Sequence, residues 1–283
     1  MSNTIFNIHD VILLMTAFLC ILFALLLLTI KSNKRVSNIF LALFLLQHAA
    51  IPLDILISFG AEFRALALDV SPNLFYLFSF GYWLEAPLLL WYVRSIIYKD
   101  YSLRFTDLVY ILPFLAYLLH QAVYFYSVGS SDRVLELAVY ELGHTEQYIH
   151  FISLGRELFR VALGLLCLYE LHRYRQHLRS NYYSIDKDEL SWLSILVVGF
   201  TLLRAWSVLV ILLVILSVIF GITFNFGIAG LAGNYTAFLL VSLMIFFSLG
   251  HANVHEGIDR DKTETTSEAK EIPQHHKLSL IHI

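Results

Sequence analysis

Residues 10–35 read DVILLMTAFLCILFALLLLTIKSNKR, an unbroken apolar run with only Thr16 and Thr29 as polar interruptions, closed by Lys31, Lys34 and Arg35. A helix of about 20 apolar residues spans the roughly 30 Å hydrocarbon core of a bilayer. Lysine and arginine collect at the cytoplasmic ends of such helices. The run is therefore a membrane span that enters from outside and ends in the cytoplasm. It is not a cleaved signal peptide: no basic residue precedes it, Asp10 stands where a basic region would, and the apolar stretch is too long.

Six further apolar stretches follow, at 36–59, 74–97, 105–127, 151–171, 190–214 and 228–249, and the sixth span could run on to Phe220 as one tilted helix. The basic residues between them alternate sides. Lys31, Lys34 and Arg35 occupy the first connection, Arg94, Lys99 and Arg104 the third, and Arg173, Arg175, Arg179 and Lys187 the fifth. Arg260, Lys262, Lys270 and Lys277 follow the last span, whereas the opposite side holds only Arg64 and Arg133. Fourteen against two, alternating at every connection, requires an odd number of spans. The expected fold is all-α: a polytopic seven-helix transmembrane bundle with its N-terminus outside and its C-terminus cytoplasmic.

Composition agrees. Of 283 residues, 58% are apolar and 14% charged, and the mean hydropathy is +0.70; soluble domains carry about 25% charged residues. The net charge of −3 excludes no partner, and Cys20 and Cys167 lie inside apolar runs, so no disulfide framework is implied. The expected organisation is a membrane domain over 1–250, a disordered cytoplasmic linker over 251–277, and a separate tail at 278–283. The linker is polar and lacks apolar periodicity. The tail, LSLIHI, coincides with one reading frame of the transposon end used in sequencing libraries. The expectation is that the frame leaves its insert near Lys277 and that whatever followed the linker is missing. A stretch at 132–142 is amphipathic and reads as a short helix at the outer surface.

Ionisable residues within spans cost about 2.5–3.5 kcal/mol each to insert, which makes each a functional candidate. They are His48 and Asp54 in the second span, Glu85 in the third, His120 in the fourth, Arg156, Glu157 and Arg160 in the fifth, and Arg204 in the sixth. Most fall in the outer half. Asp54, Glu85 and Glu157 could neutralise the three arginines as pairs between helices. Alternatively Asp54, Glu85, His120, Arg156, Glu157, Arg160 and Arg204 line an outward-open ligand site in which an arginine fork holds an anion. Three acids against three arginines leave no charge over, which favours pairing. His251 and His255 have metal-compatible spacing but no third ligand, so no metal, cofactor or catalytic residue is assigned. Pro52, Pro87 and Pro113 are expected to kink their helices, and Asn234–Thr236 matches a glycosylation sequon.

Residues 81–115, GYWLEAPLLLWYVRSIIYKDYSLRFTDLVYILPFL, combine Pro87, a Tyr92–Arg94 exit, a basic turn, Asp107 and Pro113. Residues 155–193, GRELFRVALGLLCLYELHRYRQHLRSNYYSIDKDELSWL, and 233–250, GNYTAFLLVSLMIFFSLG, continue the pattern. Together they resemble the N-terminal membrane half of bacterial membrane-bound transcriptional regulators of the AraC type, over roughly residues 36–255. The resemblance implies a sensor or anchor in the inner membrane, not an enzyme, truncated before a helix-turn-helix output domain. The expected partners are the lipid bilayer from the apolar spans, a small anionic ligand from the outer side if the arginines form a site, DNA only through the missing domain that the resemblance implies, and a second copy of the chain in a homodimer. Related seven-span modules precede histidine kinases, which keeps that output open. A stand-alone transporter using the buried charges is the alternative from another class, although no inverted repeat supports it. An intramembrane hydrolase using His48, His120 and Asp54 lacks any nucleophile spacing, and the outer cysteine pair of eukaryotic receptors is missing.

Overall fold

The computed structural model describes residues 7–29, 35–98, 101–129, 132–135, 137, 147–181, 191–221 and 226–250. The linker at 251–277, the tail at 278–283, and the histidines at 251, 255, 275 and 276 lie outside these residues. Every regular element among them is helical. In order they are α1 (Ile8–Thr29), α2 (Arg35–Phe59), α3 (Ala61–Val70), α4 (Gly81–Ile97), α5 (Leu112–Tyr124), α6 (Gln147–Asn181), α7 (Ser191–Phe220) and α8 (Phe226–Gly250). Short 3-10 turns precede α4 at Pro72–Leu74 and lead into α5 at Phe105–Ile111. Contacts divide the chain into Met1–Ile245 and Phe246–Ile283; the second unit contributes the last helical residues of α8, and the contacts below lie in the first.

The protein is a membrane protein. Four helical segments among the described residues are long and apolar enough to cross a bilayer: Ile8–Thr29, Arg35–Phe59, Phe105–Tyr124 and Ser191–Phe220. Their outward faces are as apolar as their packed faces. Phe18, Leu22 and Leu25 on α1 and Leu202, Leu209 and Ile219 on α7 are all exposed. A helix that is hydrophobic all round needs an apolar surrounding, and hydrocarbon supplies it. α4 and α6 fall short of that criterion for different reasons. α4 has only 17 residues, and α6 is interrupted by Arg156, Glu157, Arg160 and Glu170.

Side-chain contacts fix the helix directions. Phe40 faces Trp91, His48 faces Glu85 and Asp54 faces Ser79, so α2 and the segment leading through α4 run antiparallel. Arg94 meets Asp107 and Trp83 stacks near Tyr117, which sets α5 antiparallel to α4. Glu85 meets Arg160 and Arg94 meets Glu170, so α6 is parallel to α4. A Cβ on Gly164 would lie 2.6 Å from Thr201 Oγ1, and Arg160 and Arg204 share Glu85, so α7 is antiparallel to α6. Gly199 approaches Leu240 and Gly233 approaches Trp206, reversing the direction again into α8. Gly81 lets α4 close on α2: an added Cβ would stand 3.0 Å from the Gln47 carbonyl and 3.1 Å from Ala50.

Three local features depart from expectation. The third span does not begin at Leu74, because Tyr76 adopts a left-handed backbone (φ 61°) and 75–80 form turns. That detour drops Phe75 into a small core with Ala67, Phe125 and Leu137, beneath α3, and the Arg64 guanidinium covers its ring at 5.2 Å. α3 itself was not expected. Pro52 and Pro87 are inside their helices, but Pro113 stands at the start of α5, where its missing N–H is harmless. In the amphipathic stretch, 132–135 and 137 are helical and the remainder lies outside the described residues.

Candidate functional site

The buried charges form a connected cluster around one carboxylate. Glu85, fully buried on α4, accepts from Arg160 Nη2 on α6 and, at 2.9 Å, from Arg204 Nη2 on α7. The Glu85 Oε1 atom also lies 2.6 Å from His48 Nδ1 on α2. Four helices thus meet on two oxygen atoms. Glu157 completes the cluster within α6: Arg160 Nη1 donates to both its oxygens at 2.7 and 2.9 Å, and Arg156 Nε donates to Oε1 at 3.1 Å. In a medium where an unpaired ion is prohibitively unstable, each charge has found a partner with short, charge-assisted geometry.

Aromatic rings frame the cations. Tyr82, one helical turn before Glu85, places its ring 4.2 Å from the Arg156 guanidinium and 5.6 Å from that of Arg160. Phe200 lies 5.4 Å from the Arg204 guanidinium, and Phe44 stacks on His48 at 5.9 Å. These contacts hold the guanidinium planes by attraction to the ring faces.

A cavity of about 210 Å³ opens beside the cluster. One wall carries His48, Tyr82, Arg156, Glu157, Arg160 and Arg204, and α1 and α8 close the cavity with residues such as Leu13, Thr16 and Asn234. The volume exceeds the ~10–15 Å³ that one water requires but is below the ~300–1,000 Å³ of drug-sized sites.

No family model, curated protein or solved structure matches this chain. The site must therefore be read from its own geometry.

Of the seven candidate residues, Glu85, Arg156, Glu157, Arg160 and Arg204 are brought together. Asp54 is not part of the ion-pair cluster: its Oδ1 accepts from Ser79 Oγ at 2.7 Å, and among the described residues it has no ion pair. The pairing of three acids with three arginines is thereby corrected. Three guanidiniums share two carboxylates, Glu85 and Glu157, which leaves one positive charge over when His48 is neutral. His120 stands apart on α5, stacked on Tyr124 at 4.7 Å and outside the cavity lining. The sequon residue Thr236 is inside α8, bonded to the Ala232 carbonyl.

A second ionic layer was missed. Arg94 donates to Glu170 from Nε at 3.1 Å and from Nη2 at 2.7 Å, and from Nη1 to Asp107 Oδ1 at 2.6 Å. Asp107 Oδ2 also accepts from the Tyr101 hydroxyl at 3.1 Å and the Arg104 amide at 3.0 Å, which caps the turn into α5. Partial burial, then the Asp107 carboxylate, push the Tyr101 phenol up to about 12. In the sequence Arg94 had a place as a topological charge and as a residue of the 81–115 motif, not as an ion-pair partner. The available signal was the pairing of Asp107 with Arg94 in one motif; Glu170 had none, because its partner is distant in sequence.

Proposed function

We propose that this chain is the sensor or anchor half of a bacterial AraC-type transcriptional regulator, set in the inner membrane by seven spans with its N-terminus outside. The alternation of helix direction from α2 to α8, with α3 as a surface helix, supports the seven-span count. The asymmetry of basic residues supports the orientation. The observation that carries a sensing role is the charge-lined cavity, placed at the end of the helices away from the basic connections. An anchor needs no cavity and no buried cation in excess; a sensor needs both a site and a contact network that the site can bias.

In this reading a ligand entering from outside competes for the arginines that Glu85 and Glu157 hold, and repacks α4, α6 and α7 against one another. The regulator assignment itself rests on the resemblance in residues 81–115, 155–193 and 233–250. Resequencing the source locus past the codon for Lys277, with a library made without transposon adapters, tests it. Continuation into about a hundred residues with two helix-turn-helix motifs is the expected result. A kinase core there would transfer the sensor to another output, and a stop codon after Ile283 would refute the regulator assignment.

A further inference from the structure

The cavity has chemistry specific enough to define its ligand. Among the described residues, Arg156 uses only Nε in hydrogen bonding, to Glu157, which leaves both terminal nitrogens as donors on a half-buried side chain lining the cavity. Arg204 is 6% exposed and lines the same space, and its Nε is buried without a hydrogen-bond partner. A buried guanidinium donor left unmade is unfavourable, and an acceptor delivered to it recovers that loss. Asp54, bonded to Ser79, reaches Arg156 only through space, and over the two carboxylates bonded to the guanidiniums the excess is one charge. A monoanion neutralises it; a dianion would leave a new unpaired charge in a buried place. Most of the rest of the lining is apolar, with Leu13, Ile51, Ile55, Val210 and Ile211 facing the space and Thr16, Ser207 and Asn234 as its polar members. A hydrated inorganic ion gains nothing from those walls, whereas an alkyl or aryl body does.

We propose that the cavity binds a small amphipathic monocarboxylate, with its head on Arg156 and Arg204 and its short apolar body between α2 and α7. The planar guanidinium fork matches the two oxygens of a carboxylate, and the limited volume excludes a long chain. This assignment deepens the sensor reading, whose outward-facing cavity it occupies, but it is tested on the chain alone, whatever output domain follows.

The test uses the full chain in nanodiscs and isothermal titration calorimetry, with empty nanodiscs subtracted. Hexanoate is the probe, compared with acetate, hexanol, hexylammonium and inorganic phosphate. Hexanoate is expected to bind, and affinity to rise about fourfold per methylene from acetate upward until the cavity is full. Hexanol and hexylammonium should not compete. Arg156→Gln, which removes the bond to Glu157 and the Tyr82 ring contact at the edge of the cluster and leaves Glu85 untouched, should weaken hexanoate at least tenfold while the protein keeps its elution profile and a cooperative thermal transition. Arg156→Lys should restore part of the affinity. Heat no larger than that of empty nanodiscs, equal affinity in Arg156→Gln, or competition by phosphate or hexanol as strong as that by hexanoate would overturn the proposal. Hexanoate binding in a locus that proves to end at Ile283 would sink the regulator and leave the ligand assignment standing.

Discussion

Replacing Glu85 by glutamine keeps the shape of the cluster and removes the charge at its centre. The wild-type carboxylate satisfies Arg160, Arg204 and His48 together. In the variant, three arginines face one carboxylate, Glu157, and Arg204 loses its ionic partner altogether. Breaking a buried pair by removing one member costs about 3–5 kcal/mol, because the other charge stays buried. Two guanidiniums are affected here, so the upper part of that range applies. At roughly 2–4 °C per kcal/mol for a domain of this size, the apparent melting temperature should fall by about 10–20 °C. Intrinsic tryptophan fluorescence in nanodiscs reads this directly, since Trp83, Trp192 and Trp206 sit on the helices that bear the cluster or border it. Glu62→Gln, on the exposed face of α3, is the control and should move the transition by less than about 2 °C, as surface changes do. Adding Arg204→Met to Glu85→Gln should recover part of the loss by removing the stranded cation. A Glu85→Gln transition within 2 °C of wild type would refute the claim that this carboxylate neutralises the cluster.

The second layer makes its own prediction. Arg94→Gln should destabilise by about 1.5–3 kcal/mol, the value of hydrogen bonds to charged groups, and Arg94→Lys should restore only part because lysine lacks the fork that engages both Glu170 oxygens; thermal unfolding of the three proteins side by side checks the order. Gly164→Ala puts a methyl group 2.6 Å from Thr201 Oγ1 where α6 crosses α7, and should cost about 1–3 kcal/mol, with Thr201→Ala as the relieving partner; a double variant no better than Gly164→Ala would show that the clash is not with Thr201. Orientation is read by labelling. Glu62→Cys should react with a membrane-impermeant maleimide in intact cells and Gln176→Cys only after permeabilisation, against a silent background because Cys20 and Cys167 are fully buried.

Much of the fold was legible because hydrocarbon imposes one rule on every residue of a span. The run from Val11 to Ile30 and the basic turn after it identify α1 without any knowledge of its neighbours. The same rule fails where a helix owes its position to tertiary contacts. α3 is too short and polar to register as a span, and the detour at Tyr76 depends on Phe75 finding Ala67, Phe125 and Leu137, residues scattered over about seventy positions. The site was half legible for a related reason. A buried charge announces itself by being unfavourable, so Glu85, Arg156, Glu157, Arg160 and Arg204 stand out. Which acid meets which arginine depends on rotation about helix axes, and Asp54 accordingly turns to Ser79. Glu170, near the polar end of α6, did not look out of place and so drew no notice.

The two ionic layers have a consequence that neither has alone. Nine residues separate Glu85 from Arg94 on α4, and ten separate Arg160 from Glu170 on α6. At a rise of 1.5 Å these intervals are roughly 14 and 15 Å, so two parallel helices are clamped at both ends in matching register. A slide of α6 by one residue would break both clamps together, and while either clamp holds, the register survives. Loss of Glu85 and loss of Glu170 should therefore not add. Glu85→Gln and Glu170→Gln sit more than 10 Å apart and share no partner, the condition under which independent effects sum to within about 0.3–0.5 kcal/mol. If the clamps share one register, the double variant should lose more than the sum of the singles, by an excess above that margin in chemical-denaturation free energies. Additivity would mean that α4 and α6 are held in register by packing elsewhere, and that a ligand loosening Arg160 at one layer has no lever on the other.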